Sequence, residues 1–147
     1  MTRVQVTRDI AAPVERVFGA ITQIEKLPET NPDIVSVELL TEQREGVGTK
    51  FREIRRMGKS EHPTDLEIVE LVPDESTRMI SDAHGTVWDT LFRVRATGDG
   101  GTRLDIIMDA RPHKLLPRLL NPLMKGVFRS GLDKHIEALK THCERED

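Results

Sequence analysis

The stretch Ala110–Asp147, ARPHKLLPRLLNPLMKGVFRSGLDKHIEALKTHCERED, decides the fold, because it is the only long helical pattern in a chain that otherwise reads as strands. At 3.6 residues per turn Leu120, Met124, Val127, Phe128, Gly131, Leu132, His135, Ile136 and Leu139 fall on one arc. Arg129, Ser130, Asp133, Lys134, Glu137 and Lys140 fall on the opposite one. A proline deep inside a helix removes a bond and clashes one turn back, so Asn121 as N-cap with Pro122 at the first helical position suits the start. Leu115–Leu120 then reads as a preceding turn or kinked extension. From Pro122 to Arg145 the helix would run roughly 36 Å, longer than one strand, so it must lie across several.

The rest of the chain supplies those strands. Val4, Val6 and Ile10 alternate with polar residues up to the Ala11-Ala12-Pro13 boundary. Pro13 opens a short helix with Val14, Val17, Phe18 and Ile21 on one face, and Ile24–Leu27 adds a second helical turn before Pro28. After the Thr30–Asp33 loop the period becomes two, with strands expected at Ile34–Leu39, Thr49–Met57, around Leu66 and Ile68, at Thr77–Asp82, Thr86–Ala96 and Thr102–Ala110. Hairpin-type turns between them imply an antiparallel meander. Trp88, Thr90, Phe92 and Val94 share one face with Leu104, Ile106, Met108 and Ala110, which should curl around the helix. The opposite set, Asp89, Arg93, Arg95, Arg103, Asp105 and Asp109, belongs in water.

Length and composition bound the function. A chain of 147 residues matches one domain, residues 1–147, with one core. No apolar run approaches the roughly 20 residues of a membrane span, and MTRVQVTRDI lacks the apolar stretch of a signal peptide, so a cytoplasmic protein is expected. With 22 Lys plus Arg against 25 Asp plus Glu, a single Trp and no Tyr, nothing resembles a nucleic-acid surface. The lone Cys143 excludes an internal disulfide, and the scattered histidines have no metal-site spacing, so no cofactor or metal is expected.

Three local motifs, IAAPVERVF at Ile10–Phe18, VGTKFRE at Val47–Glu53 and GDGGTRL at Gly98–Leu104, together with the element order, resemble the START-like (SRPBCC) superfamily and its polyketide cyclase/dehydrase-like branch. The resemblance spans essentially the whole chain. It implies an α+β helix-grip fold, in which a curved antiparallel sheet of about seven strands wraps around a long C-terminal helix, with two short helices after the first strand. It also implies a cavity between sheet and helix for an apolar or amphipathic small molecule. Catalysis is not implied, since the family mixes carriers, sensors and cyclases.

The expected walls are Phe51, Leu66, Ile68, Trp88, Phe92, Met108, Met124, Phe128 and Leu132, with Glu53, Arg55, Thr90 and His135 as polar anchors. Glu53 and Arg55 alternate in phase with Phe51, which points them inward unless a bulge or strand end turns them to solvent. His135 sits in the apolar arc, either as an acid/base group or as a satisfied core histidine. Gly131, on the same arc, either widens the cavity or allows close packing or a kink. The expected function is carriage or sensing of a hydrophobic small molecule such as a lipid or polyketide-like compound, by a monomer or homodimer. Two alternatives stay open: a cyclase or dehydratase using His135 or Glu53, and a protein-interaction module using the leucine-rich segment 115–123.

Overall fold

A computed structural model describes residues 1–145. β1 (Thr2–Ile10) is followed by α1 (Val14–Thr22), a 3-10 turn (Ile24–Lys26) and α2 (Leu27–Thr30). Then come β2 (Ile34–Leu39), β3 (Lys50–Met57), β4 (Ser60–Val72), β5 (Ser76–Ala83), β6 (Thr86–Ala96) and β7 (Thr102–Pro112). α3 (Leu115–Leu120), a second 3-10 turn (Asn121–Met124) and α4 (Lys125–Glu144) complete the chain. All strand pairings are antiparallel in the order β1-β7-β6-β5-β4-β3-β2. β1 and β2 therefore form opposite edges, and the α1–α2 segment spans the gap between them. Register shifts after Ile34 and after Ile68 mark bulges, which bend a sheet and increase its twist.

The two faces of this sheet are chemically opposite. On the outer one, ion pairs link strands: Arg3 to Asp109 at 2.7 Å, Arg103 to Asp9 at 2.8 Å, Arg93 to Asp105 at 3.1 Å, and Arg52 to Asp65 at 2.7 Å. Exposed pairs of this kind contribute little stability each, but they keep that face hydrated. On the inner face Val4, Val6, Ile10, Phe92, Val94, Leu104 and Ile106 are buried against Val17, Phe18 and Ile21 of α1 and Leu132, Ile136 and Leu139 of α4. The core thus gathers under α1 and the C-terminal half of α4. α4 packs chiefly along β1, where Arg8 reaches Glu137 at 2.6 Å and Asp133 at 3.2 Å, and Lys140 donates to the Asp9 carbonyl.

Three local expectations need correction. The main helix does not begin at Pro122, and Asn121 is not its N-cap: Asn121 is buried, has helical dihedrals, and its Nδ2 donates to Thr86 Oγ1 at 3.1 Å. A buried amide is better satisfied by that hydroxyl than by a cap facing solvent. The apolar arc is buried only from Leu132 onward, while Val127 is exposed and α3 buries none of its residues. Helical structure also continues past Pro28, which occupies the first turn of α2, where its missing N–H costs no bond.

Candidate functional site

Strand register sets the inner wall in levels. Phe51, Leu66, Ser81, Trp88 and Ala110 lie side by side across β3 to β7, and Ile68, Met79, Thr90 and Met108 form the next level. Phe51 and Ile68 are fully buried. Leu66, Trp88, Thr90 and Met108 are only half-buried, although they occupy the concave face of interior strands. A close-packed interior would leave such positions no accessible surface. Helix α4 has its main sheet contact along β1 and touches this part of the sheet through Phe128 on Trp88 and His135 on Phe92, and the accessible surface that these wall residues keep outlines a groove between the helix and β3–β7.

The helical wall of the groove is sparse. Phe128, half-buried, meets the Trp88 ring edge-on with centroids 5.0 Å apart, and Trp88 Nε1 donates to the Ala83 carbonyl at 3.3 Å. One turn further, a Cβ added to Gly131 would have no neighbour within 4 Å. Close packing on a strand is therefore not what this glycine serves, and the space beside it is open. Leu132, next in the chain, is buried in the core. Met124 is 40% exposed at the rim rather than within the wall.

Three ionisable groups converge here. Glu53 is buried, opposite Thr64 of β4, and Arg55 is opposite His62. Of the two dispositions that the sequence leaves open for Glu53, the folded chain takes the inward one. The nearest cationic atom to its carboxylate, Arg55 Nε, stands 3.8 Å away, beyond good hydrogen-bond length. Burial raises the Glu53 pKa, and Arg55 offsets part of that rise. His135 packs edge-on against Phe92, with centroids 5.8 Å apart. Loss of water around the ring, with a smaller contribution from Arg55, lowers its pKa to about 3, so the imidazole is neutral at ordinary pH. The residue as a whole is half-buried, while its ring is shielded from water against Phe92.

Sequence reasoning missed Ser81, buried at the same level as Trp88 and Leu66; Thr49, which alternates in phase with Phe51 and Glu53, is buried with a hydroxyl that has no partner among the described residues. The alternation Thr77, Met79, Ser81 was the available signal for the first. Two shallow depressions elsewhere, bordered by Arg93, Arg95 and Asp105, belong to the charged outer side and its edge and do not form this site. Among the described residues no three His, Cys, Asp or Glu side chains are grouped to hold a metal, and no helix is long and apolar enough to cross a membrane.

A curved antiparallel sheet gripping a long C-terminal helix, with short helices after the first strand, is the helix-grip fold of the START-like superfamily. The family described as polyketide cyclase / dehydrase and lipid transport matches residues 1–144, and this chain belongs to it. No curated protein matches the sequence. Among solved structures, the Zhui aromatase/cyclase from a Streptomyces species is similar at a TM-score of 0.83 and 16% identity, covering 98% of this chain and 94% of that one. A START superfamily protein from Mycobacterium smegmatis is similar at 0.81 and 16% identity, covering 97% of each chain. A Thermus thermophilus protein is similar at 0.79 and 20% identity, again over 97% of each. At these identities the likeness is one of fold. Family and fold together support a ligand-binding cavity for a small hydrophobic molecule.

Proposed function

We propose that this protein binds a hydrophobic or amphipathic small molecule, a lipid or polyketide-like compound, in the groove between α4 and β3–β7, as a carrier or sensor. The observation that carries the reading is the accessible surface kept by Leu66, Trp88, Thr90 and Met108 on the concave side of the sheet. Unfilled apolar surface with a few polar groups is the general form of a small-molecule site. Glu53 and Arg55 would orient a hydroxyl or carbonyl of the guest at one end, while Trp88, Phe128 and Met108 hold its apolar body. As carrier or sensor the protein would act in the cytoplasm, as a monomer or homodimer, without a cofactor.

The test uses the single tryptophan, which lines the proposed site. Titration with a medium-chain fatty acid or a naphthol should change Trp88 emission saturably in the parent and not in Gly131→Leu, whose added side chain would occupy the groove. An unchanged response in that variant would remove the groove as the binding place.

A second reading, proton-transfer chemistry of the cyclase or dehydratase type, is favoured by the convergence of Glu53, Arg55 and His135. A buried carboxyl with a raised pKa is suited to proton transfer. His135, with its pKa lowered to about 3, is a weak base, so Glu53 would carry the transfer. Turnover of a polyketide-like substrate that is lost in Glu53→Gln, with binding retained, would favour this reading over carriage.

A further inference from the structure

The segment from α3 to the first turn of α4 is apolar where the fold gives it nothing to cover. Leu115, Leu116, Leu119, Leu123 and Val127 expose between 62% and 82% of their surface, and α3 buries no residue. Few polar contacts hold this segment to the body. Gly85 carbonyl accepts from the His113 and Lys114 backbone N–H groups at 2.8 and 3.2 Å, and Asn121 binds Thr86.

Its charge is one-sided. From Ala110 to Leu132 there is no Asp or Glu, but there are five cations, in a chain whose net charge is -3. Arg111 is held by Asp89 at 2.8 Å and Arg129 by the Gln5 carbonyl at 3.1 Å. Lys114, Arg118 and Lys125 make no ion pair among the described residues. At 100° per residue the four leucines of α3 sweep about 140° and Arg118 projects outside that arc, while Lys114 precedes the helix in an extended conformation with its stem beside Gly85. Leucines on one side and cations without ion pairs near them, on a short helix that buries none of its residues, match an interfacial helix whose basic side chains reach lipid phosphates.

We propose that α3 and the turn after it dock the protein onto an anionic lipid surface. A second copy is disfavoured, because a twofold contact through this patch would set Lys114, Arg118 and Lys125 against their own counterparts. An anionic bilayer complements both features at once, accepting leucines below the headgroups and attracting the cations at the same level. The patch continues through Val127 to Phe128, which touches Trp88 in the groove, so docking would bring the groove's rim to the lipid. The inference stands whether or not the groove holds a guest.

Co-sedimentation of the full chain with phosphatidylcholine vesicles, with and without phosphatidylglycerol, tests it. Binding is expected only with phosphatidylglycerol and should weaken with added salt. The double variant Leu119→Ser, Leu123→Ser should bind about tenfold more weakly or worse, and Arg118→Glu with Lys125→Glu should abolish binding. The affected side chains are exposed, and circular dichroism should report an unchanged fold. No binding of the parent to anionic vesicles would overturn the proposal. So would full binding by the leucine variant, or a dimer or protein complex broken by these substitutions where vesicles are not bound.

Discussion

Trp88 and Phe128 meet edge to face at 5.0 Å, joining the concave side of β6 to the exposed half of α4. Sheet contact of the long helix lies mostly along β1, so this pair is a link on the far side of the groove. Such pairs are worth about 1 kcal/mol beyond area burial. A double-mutant cycle with Trp88→Leu and Phe128→Leu, read by urea unfolding, should give a coupling of about that size. Coupling near zero would mean that the rings do not hold the helix.

Glu53 makes stability fall with rising pH. Its carboxyl holds a proton in the folded chain at pH values where the unfolded chain has released it, so stability is lost as pH rises from the ordinary 4.5 through the raised folded value. Glu53→Gln should therefore be more stable than the parent at pH 7 and indistinguishable from it below pH 4.5. Urea titrations at the two pH values check this, and a less stable Glu53→Gln at pH 7 would show that the carboxylate is well paired.

His135 acts in the opposite sense. Its folded pKa of about 3 lies below the unfolded 6.5, so the stability of the neutral ring is fully present above pH 6.5 and is lost as pH falls towards 3. Nitrogen-15 imidazole shifts should report a neutral ring at pH 5. A ring that titrates near 6.5 would place His135 in water. His135→Phe should remove this part of the acid sensitivity while keeping the contact with Phe92.

Gly131 sits inside α4 with open space beside it. Because a Cβ there meets nothing within 4 Å, Gly131→Ala should stabilise the protein by about 1 kcal/mol. Thermal unfolding should show a higher midpoint. A lower one would mean that the glycine relieves a contact.

The sheet was legible because most of its strands alternate at period two between clear turns: β6 begins and ends at Thr86 and Ala96, as its turns require, and Trp88 pairs with Ala110 on the expected face. The inward course of Glu53 could not be decided from β3 alone, since it depends on its opposite neighbour Thr64 and on how far α4 stands off the sheet. Periodicity placed Val127 and Leu132 on one arc, but could not say that only Leu132 would be covered. Asn121 misled because an Asn-Pro pair is a good helix start, whereas its actual partner, Thr86, is distant in sequence.

The central claim, an unfilled groove that takes a guest, is tested most directly by native mass spectrometry of the intact protein with identification of what it releases. The parent should carry one stoichiometric apolar or amphipathic compound, and Gly131→Leu, folded by circular dichroism, should carry none. A parent that remains at its bare polypeptide mass, even after incubation with lipids and aromatic polyketides, would contradict the account.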